Sequence, residues 1–334
     1  MSIDSITAAL AAAINSANPL VALLAVVIYA VGVSIIIFMF AYFFGWIERK
    51  MIAKMQYRHG PTYVGKYGIL QNLADLVKLL AKEIIIPENA NRYLIVIAPQ
   101  LLVAVNIFMI FMIPFSPTLQ ASNIGLGLLV IFVVLGFTPI LIFLTGFSSG
   151  NKFADISAQR SVLMLISYEL PMILVIASTV LLTHSYSISS LIAAQSKWYF
   201  AFLMPIGLFV FFVAMLAELE RPPFDTREAD SELIAGWLTD ISAPYYALSL
   251  LLDYSRMFLG SLLIVVLFFG GWLGPSILPP IAWLLIKALA VSIFIILIRA
   301  TTVRMRIDKV LKLGWLWMMP LALINLIITF MLVV

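Results

Sequence analysis

Hydrophobic residues run along this chain in long blocks separated by short polar stretches. A helix needs about 20 apolar residues to cross ~30 Å of hydrocarbon. Eight blocks have that reach, at 20–46, 93–114, 124–147, 161–183, 199–217, 245–271, 278–300 and 312–333. The first is long enough to tilt or to project beyond a bilayer. It is also too long for a cleaved leader and has only Asp4 as a charge before it, so it reads as a retained span. Between the first two blocks the period changes. Leu73, Leu76, Val77 and Leu80 recur at helical spacing within 69–83, while Asp75, Lys78 and Lys82 fall on another face. Such a segment is too short to cross and predicts an amphipathic helix lying in the membrane interface. The expected fold class is an all-α polytopic membrane protein: eight transmembrane helices plus one interfacial amphipathic helix. All of it forms a single integral membrane domain over 1–334, with cytoplasmic loops at 47–92 and, strongly acidic, at 218–244.

Composition sharpens the exclusions. The chain is 63% hydrophobic and 11% charged, against about 45–50% and about 25% in soluble domains. A water-soluble fold is excluded unless partners cover nearly every surface. There is no Cys, so no thiolate-held iron–sulfur cluster, cysteine-bound zinc or disulfide belongs to this chain. The two histidines, His59 and His184, fall on opposite sides of the expected topology, which argues against a bis-histidine haem. No metal-ligand set and no catalytic constellation stands out, and the glycines of 60–68 read as surface turns.

The charges sort by side. Fifteen Lys and Arg residues lie in the odd loops, eight of them between Arg49 and Arg92, against Lys197 alone in the even loops. The positive-inside rule then puts the odd loops in the cytoplasm and both termini outside. A few charges sit where insertion costs ~2.5–3.5 kcal/mol each. These are Glu169 in the fourth block, Asp253 and Arg256 in the sixth, and Lys287 in the seventh. They read as an ion or proton path, or as structural pairing; Asp253 and Arg256, three residues apart, could partly neutralise each other. The fifth loop carries Glu218, Glu220, Asp225, Glu228, Asp230, Glu232 and Asp240 among Pro222, Pro223, Phe224 and Trp237. Crowded, partly buried carboxylates take up protons more readily than free acids, so this run predicts a folded-in acidic loop able to relay protons.

These residues resemble a known family. Glu48-Arg49-Lys50, Gly60-Pro61, Val64-Gly65, Leu70-Gln71, Ala74-Asp75 and Lys82-Glu83 are similar to the first-loop signature of the quinone-channel, or heel, subunit of respiratory complex I. Ile166-Ser167-Tyr168-Glu169 resembles that family's span motif, and Ala217-Glu218, Arg221 and Pro223-Phe224-Asp225 its acidic loop. Phe268-Phe269-Gly270-Gly271-Trp272, Arg299-Ala300 and Leu313-Gly314-Trp315 resemble its C-terminal third, so nearly the whole chain is covered in order. The same module is shared with membrane-bound hydrogenase and sulfur-reductase complexes.

The resemblance implies a membrane anchor that docks a peripheral electron-transfer arm, walls a quinone tunnel and begins the proton path to antiporter-like subunits. It implies no cofactor held by this chain alone. Quinone is the implied ligand, with iron–sulfur clusters in partner subunits. The implied partners are cluster-bearing arm subunits, small membrane subunits, antiporter-like subunits and membrane lipid, with no nucleic acid. Arg49, Arg58, Asp75, Lys78, Arg221, Arg299 and Arg304 become candidates for the quinone tunnel or arm docking. Glu83, Glu169, Glu218, Glu228, Asp230, Glu232, Asp240 and Asp253 become candidates for the proton path. Departures exist: Thr62, Lys66 and Asn72 stand where the family commonly has Asn, Pro and Pro, Met164 replaces Gln, and Glu220 replaces Asn. Asp230, Asp240 and Asp253 are shorter acids where Glu is common. A second reading is the homologous anchor of a ferredoxin-driven hydrogenase or sulfur-reducing complex without a quinone substrate. A third, from another class, is a stand-alone secondary transporter, although no pair of interrupted helices in corresponding halves stands out.

Overall fold

A computed structural model describes residues 9, 12–14, 19–118, 124–227 and 230–333. Helices dominate these residues, and seven are long and apolar enough to cross a membrane. They are Pro19–Met55 (α1), Arg92–Met112 (α3), Gly127–Ser148 (α4), Lys152–Thr183 (α5), Ala243–Phe268 (α7), Pro280–Thr301 (α8), and Ile307–Leu313 (α9) running into Met319–Val333 (α10). The shorter Gln71–Leu80 (α2) is the amphipathic segment, and the apolar Pro205–Glu218 (α6) occupies the fifth block. The chain is an integral membrane protein of the polytopic all-helical class.

Helix ends depart from the hydropathy blocks for local reasons. α1 continues to Met55, because Trp46–Met55 contains no Gly or Pro and its Glu, Arg, Lys and Met are good helix formers. Only the apolar run stops there. α5 begins nine residues ahead of its block, with the Asn151 side chain accepting the Phe153 N–H at 3.0 Å as a cap. The fifth block is interrupted: Pro205 lacks an N–H, and Met204 before it takes a non-helical φ of −137°. A short helix, Phe200–Leu203, therefore precedes α6. Between α9 and α10, the π-turn Gly314–Met318 lies against α5, where a Cβ on Gly314 would stand 2.7 Å from the Ser167 carbonyl oxygen. Glycine is what permits that approach.

α7 is the hub. Every residue from Ser255 to Phe268 is buried, as expected of a segment apolar on all sides, and α1, α2, α3, α6 and α8 pack around it. The outer helices turn apolar residues outward instead, such as Leu24, Val31 and Ile35 on α1 and Val133 on α4. That is the surface a lipid solvent requires. The odd loops gather at one end, here termed the basic end. The Asn91 N–H meets the Ser148 carbonyl at 2.8 Å, the Ser157 hydroxyl meets the Arg227 carbonyl at 2.8 Å, and the Met305 N–H meets the Pro223 carbonyl at 2.9 Å.

Candidate functional site

The buried face of α1 is a four-residue ladder: Ala25, Tyr29, Val33, Ile37, Ala41 with Phe40, then Phe44. The next rung is Glu48, only 2% exposed. Its Oε1 accepts from Arg221 Nη1 at 2.6 Å and also from Arg299 Nη1. An acid at this depth needs such partners, since an isolated buried carboxylate is prohibitively costly.

Arg221 reaches Glu48 because of how α6 ends. The Glu220 N–H bonds the Ala217 carbonyl at 3.0 Å and the Arg221 N–H bonds the Leu216 carbonyl at 3.4 Å. These two bonds form a Schellman motif, which requires a left-handed residue. Glu220 takes that role, with φ of 51°. The reversal brings Glu218, Glu220 and Arg221 into the core beside α7. Glu220 contacts Arg227 Nη1 and lies 3.7 Å from Arg256 Nη1. Arg256 Nη2 lies 3.2 Å from Glu218, and Arg227 Nη2 lies 3.7 Å from Asp253. The Arg221 guanidinium lies 5.4 Å from the Tyr254 ring centroid and that of Arg227 4.8 Å from Trp237, contacts in which the ring face attracts the cation. Asp253 and Arg256 do share a helical face, but the ion pairs they make here run to the fifth loop and the end of α6.

A cavity of about 160 Å³ lies between α1, α2 and α7. Phe38, Leu76, Leu79 and Leu251 give it an apolar wall, into which Arg49, Asn72, Asp75 and Tyr254 are set. α2 is fastened over it by polar bonds to α1. Tyr42 donates to the Ile69 carbonyl at 2.7 Å, Asn72 donates to the Tyr42 carbonyl at 2.8 Å, and Arg49 pairs with Asp75 at 2.6 Å. Partial burial pushes the Asp75 carboxyl up, but hydrogen bonds from Arg49 and Gln71 outweigh it and hold it below the usual carboxylate range. Leu73, Val77 and Leu80 remain exposed, so the apolar stripe of α2 continues from the cavity to the outer surface.

Glu169 and Glu218 line a second cavity, of about 320 Å³, between α4, α5 and α6. Gly136 on α4 makes room there: a Cβ at this position would stand 2.7 Å from Glu169 Oε1.

The remaining candidates fall elsewhere. Arg58 is exposed and donates to Gln56 at 2.7 Å, and Lys78 is exposed on α2. Glu232 is exposed and holds Arg160 at 2.7 Å and Arg304 at 3.4 Å. The Arg160 hydrogen bond, then the charges of Arg304, Arg160 and Arg306, keep its carboxyl below its ordinary value. Glu83 and Asp240 border a groove at the basic end with Lys82 and Ser242. Glu228 lies outside the described residues, and only the backbone of Asp230 is described, opening the short helix Asp230–Leu233. Lys287 donates to the carbonyls of Phe269, Gly271 and Leu273 at 2.8, 3.1 and 2.6 Å, where α7 ends. Its three N–H donors are thereby occupied.

Glu220 is buried as the folded-in acidic loop predicts, and Glu48 and Arg227, to which the sequence reading assigns no such place, join it in the buried assembly. The signal for Glu48 is present, since it extends the four-residue ladder of α1. It is masked by Arg49, Lys50 and Lys54, which make the segment look solvated.

Known sequences match this chain along most of its length. The NADH dehydrogenase family profile matches residues 27–330. A subunit of the NADH-quinone oxidoreductase of Dehalococcoides mccartyi (strain CBDB1) is 40% identical over 297 residues, spanning 89% of this chain and 82% of the relative. The corresponding subunit from Carboxydothermus hydrogenoformans is 37% identical over 302 residues, spanning 90% and 86%. That from Geobacillus sp. (strain WCH70) is 38% identical over 286 residues, spanning 84% and 86%. With a match along nearly its whole length, the chain belongs to the NADH dehydrogenase family, as a membrane subunit of the complex I type.

Proposed function

We propose that this chain binds a membrane quinone, docks the electron-transfer arm at its basic end and opens an ion path into the membrane arm. The observation that carries the reading is the cavity between α1, α2 and α7. A quinone has a polar ring bearing two carbonyl acceptors and a long apolar tail. The cavity offers Arg49 N–H groups that Asp75 leaves unoccupied, because only Nη1 is engaged by that acid. The apolar wall and the exposed stripe of α2 suit the tail, leading it to the lipid. Reduction to the quinol consumes two electrons and two protons. With no Cys in the chain, a thiolate-held cluster delivering the electrons belongs to a partner. The chain's own part is to orient the ring and to polarise its carbonyls through hydrogen-bond donors.

Orientation follows from charge: the basic end faces the cytoplasm, where a soluble arm can dock against it. Glu218 joins the buried ion pairs to the second cavity, and Glu169 shares that cavity. Its wall is mostly apolar, and Glu169, Glu218 and Tyr186 are the polar side chains set into it, so these two acids, with water ordered between them, begin the proposed ion path. Neighbouring membrane subunits, among them antiporter-like ones, would carry the path onward.

The test uses the complex purified through a tag on this chain. With NADH or reduced ferredoxin as donor, short-chain quinone reduction is assayed beside hydrogen evolution and polysulfide reduction. Inhibitor-sensitive quinone reduction that falls at least tenfold in Arg49→Gln supports the reading. Hydrogen or sulfide production without quinone turnover overturns the quinone assignment.

A further inference from the structure

Glu220 is an unusual residue for its backbone. A left-handed residue closing a helix is commonly Gly or Asn, because other side chains crowd the following carbonyl. A long acid is therefore not there to make the turn. Its side chain is 4% exposed and lies between Arg227 and Arg256. The division of contacts is regular. Glu220 faces Nη1 of both guanidiniums, at ion-pair distance and without a hydrogen bond in the case of Arg256, while Nη2 of Arg256 donates to both the carboxylate and the backbone carbonyl of Glu218 and Nη2 of Arg227 lies 3.7 Å from Asp253.

We propose that Glu220 is a positioning residue of the ion path, occupying one side of Arg256 and of Arg227 so that each offers a single N–H edge to Glu218 and to Asp253. The chemistry follows from guanidinium geometry. A free Arg forks onto a carboxylate through two parallel N–H bonds, the strong arrangement. A forked Arg256 would lock Glu218 as a permanent ion pair, and a locked ion does not exchange protons. With Nη1 drawn toward the Glu220 charge at 3.7 Å and Nη2 shared between the Glu218 carboxylate and its backbone carbonyl, the clasp on the carboxylate stays one-sided and the acid keeps a face toward the second cavity. Glu220 thus touches no substrate and acts through its two arginines. The inference rests on the proposed ion path through Glu218.

The experiment compares Glu220→Asn, Glu220→Asp and Glu218→Gln in the whole complex, reconstituted into lipid vesicles. Quinone reduction and ions moved per electron pair are measured together. Asn suits the left-handed backbone, and Arg256 and Arg227 keep Glu218 and Asp253 as counter-ions, so Glu220→Asn is expected to assemble with a lowered melting temperature. Its ion-to-electron ratio should fall at least threefold, and Glu220→Asp should restore at least half of it. A parental ratio in Glu220→Asn beside a lowered one in Glu218→Gln overturns the role of Glu220 alone. A parental ratio in both overturns the ion path itself. If Glu220→Asn fails to assemble, Glu220→Asn with Arg227→Gln rebalances the charge. The proposal then requires a low ratio in that pair, and a parental ratio overturns it.

Discussion

Glu48 and Arg221, 173 residues apart in the chain, meet at 2.6 Å with their side chains only 2% and 7% exposed. Few contacts tie the first loop to the fifth so directly, and none of the exposed pairs has a comparable energetic weight. Removing one partner of a buried pair strands the other charge, at ~3–5 kcal/mol. Arg221→Leu should therefore lower the melting temperature of the complex and the yield of assembled complex. Glu48→Gln should do the same through two stranded arginines, Arg221 and Arg299. Parental melting in both variants would show that water reaches the pair.

Gly136 and Gly32 make a matched comparison. A Cβ at Gly32 meets nothing within 4 Å, whereas one at Gly136 meets the Glu169 carboxylate. Gly32→Ala should leave activity unchanged and gain a little helix stability, up to ~1 kcal/mol. Gly136→Ala should displace Glu169 and lower ion translocation severalfold with assembly intact. Equal translocation in the two variants would count against Glu169 as a path residue.

The Arg49–Asp75 latch has a defined pH dependence. Asp75 is held below its ordinary value of 3.8, so it binds protons less readily when folded. Its contribution is full above that pH and is lost as pH falls through the lower folded value. At 41% and 33% exposure the pair is screened, and its worth is about 0.2–1 kcal/mol. Asp75→Asn should thus speed amide exchange across α2 by no more than about fivefold. Exchange in the parent should stay flat from neutral pH down to about pH 4, after correction for the intrinsic rate.

Lys287 lies within a membrane span, yet its bonds suit a cap on α7 better than a path. Lys287→Met should cost on the order of 2–3 kcal/mol by leaving three carbonyls unbonded. Heat stability should fall while turnover per assembled complex stays at the parental value. A loss of ion translocation without loss of stability would return Lys287 to the path.

The absence of Cys gives a direct test of orientation. Thr62→Cys should react with an impermeant maleimide only from the cytoplasmic side, and Ser185→Cys only from the opposite side. Labelling of both from one side would overturn the assigned topology.

Hydropathy makes most of the helices legible, because lipid and protein interior both demand apolar side chains over a full crossing. The periodicity of Leu73, Leu76, Val77 and Leu80 makes α2 legible as well, though its last turn is shorter than the pattern suggests. Helix ends are less readable. The extension of α1 is polar yet helical, and Pro205 breaks a block that composition alone shows as continuous. Pairing is the least readable. Asp253 and Arg256 look like mutual partners at i, i+3, but the fifth loop supplies nearer counter-ions from sequence positions that no local spacing reveals. Glu220 is visible only as one more acid, since its left-handed backbone is a property of the turn it closes.

The enclosure of α7 also constrains the order of synthesis. Lipid never touches its second half, so its final place must be formed by helices, and α1, α3 and α6 all precede it in the chain. These would enter the bilayer first and leave a slot, which α7 fills and α8 then closes. Arg256 would be a costly residue to deliver alone into hydrocarbon. Glu218, 38 residues earlier, is already in position to receive it. A ribosome stalled far enough beyond α7 for that helix to have left the exit tunnel would therefore carry a nascent chain whose buried arginine has found its counter-ion, while a chain missing α6 would expose that helix to the cell's membrane quality control.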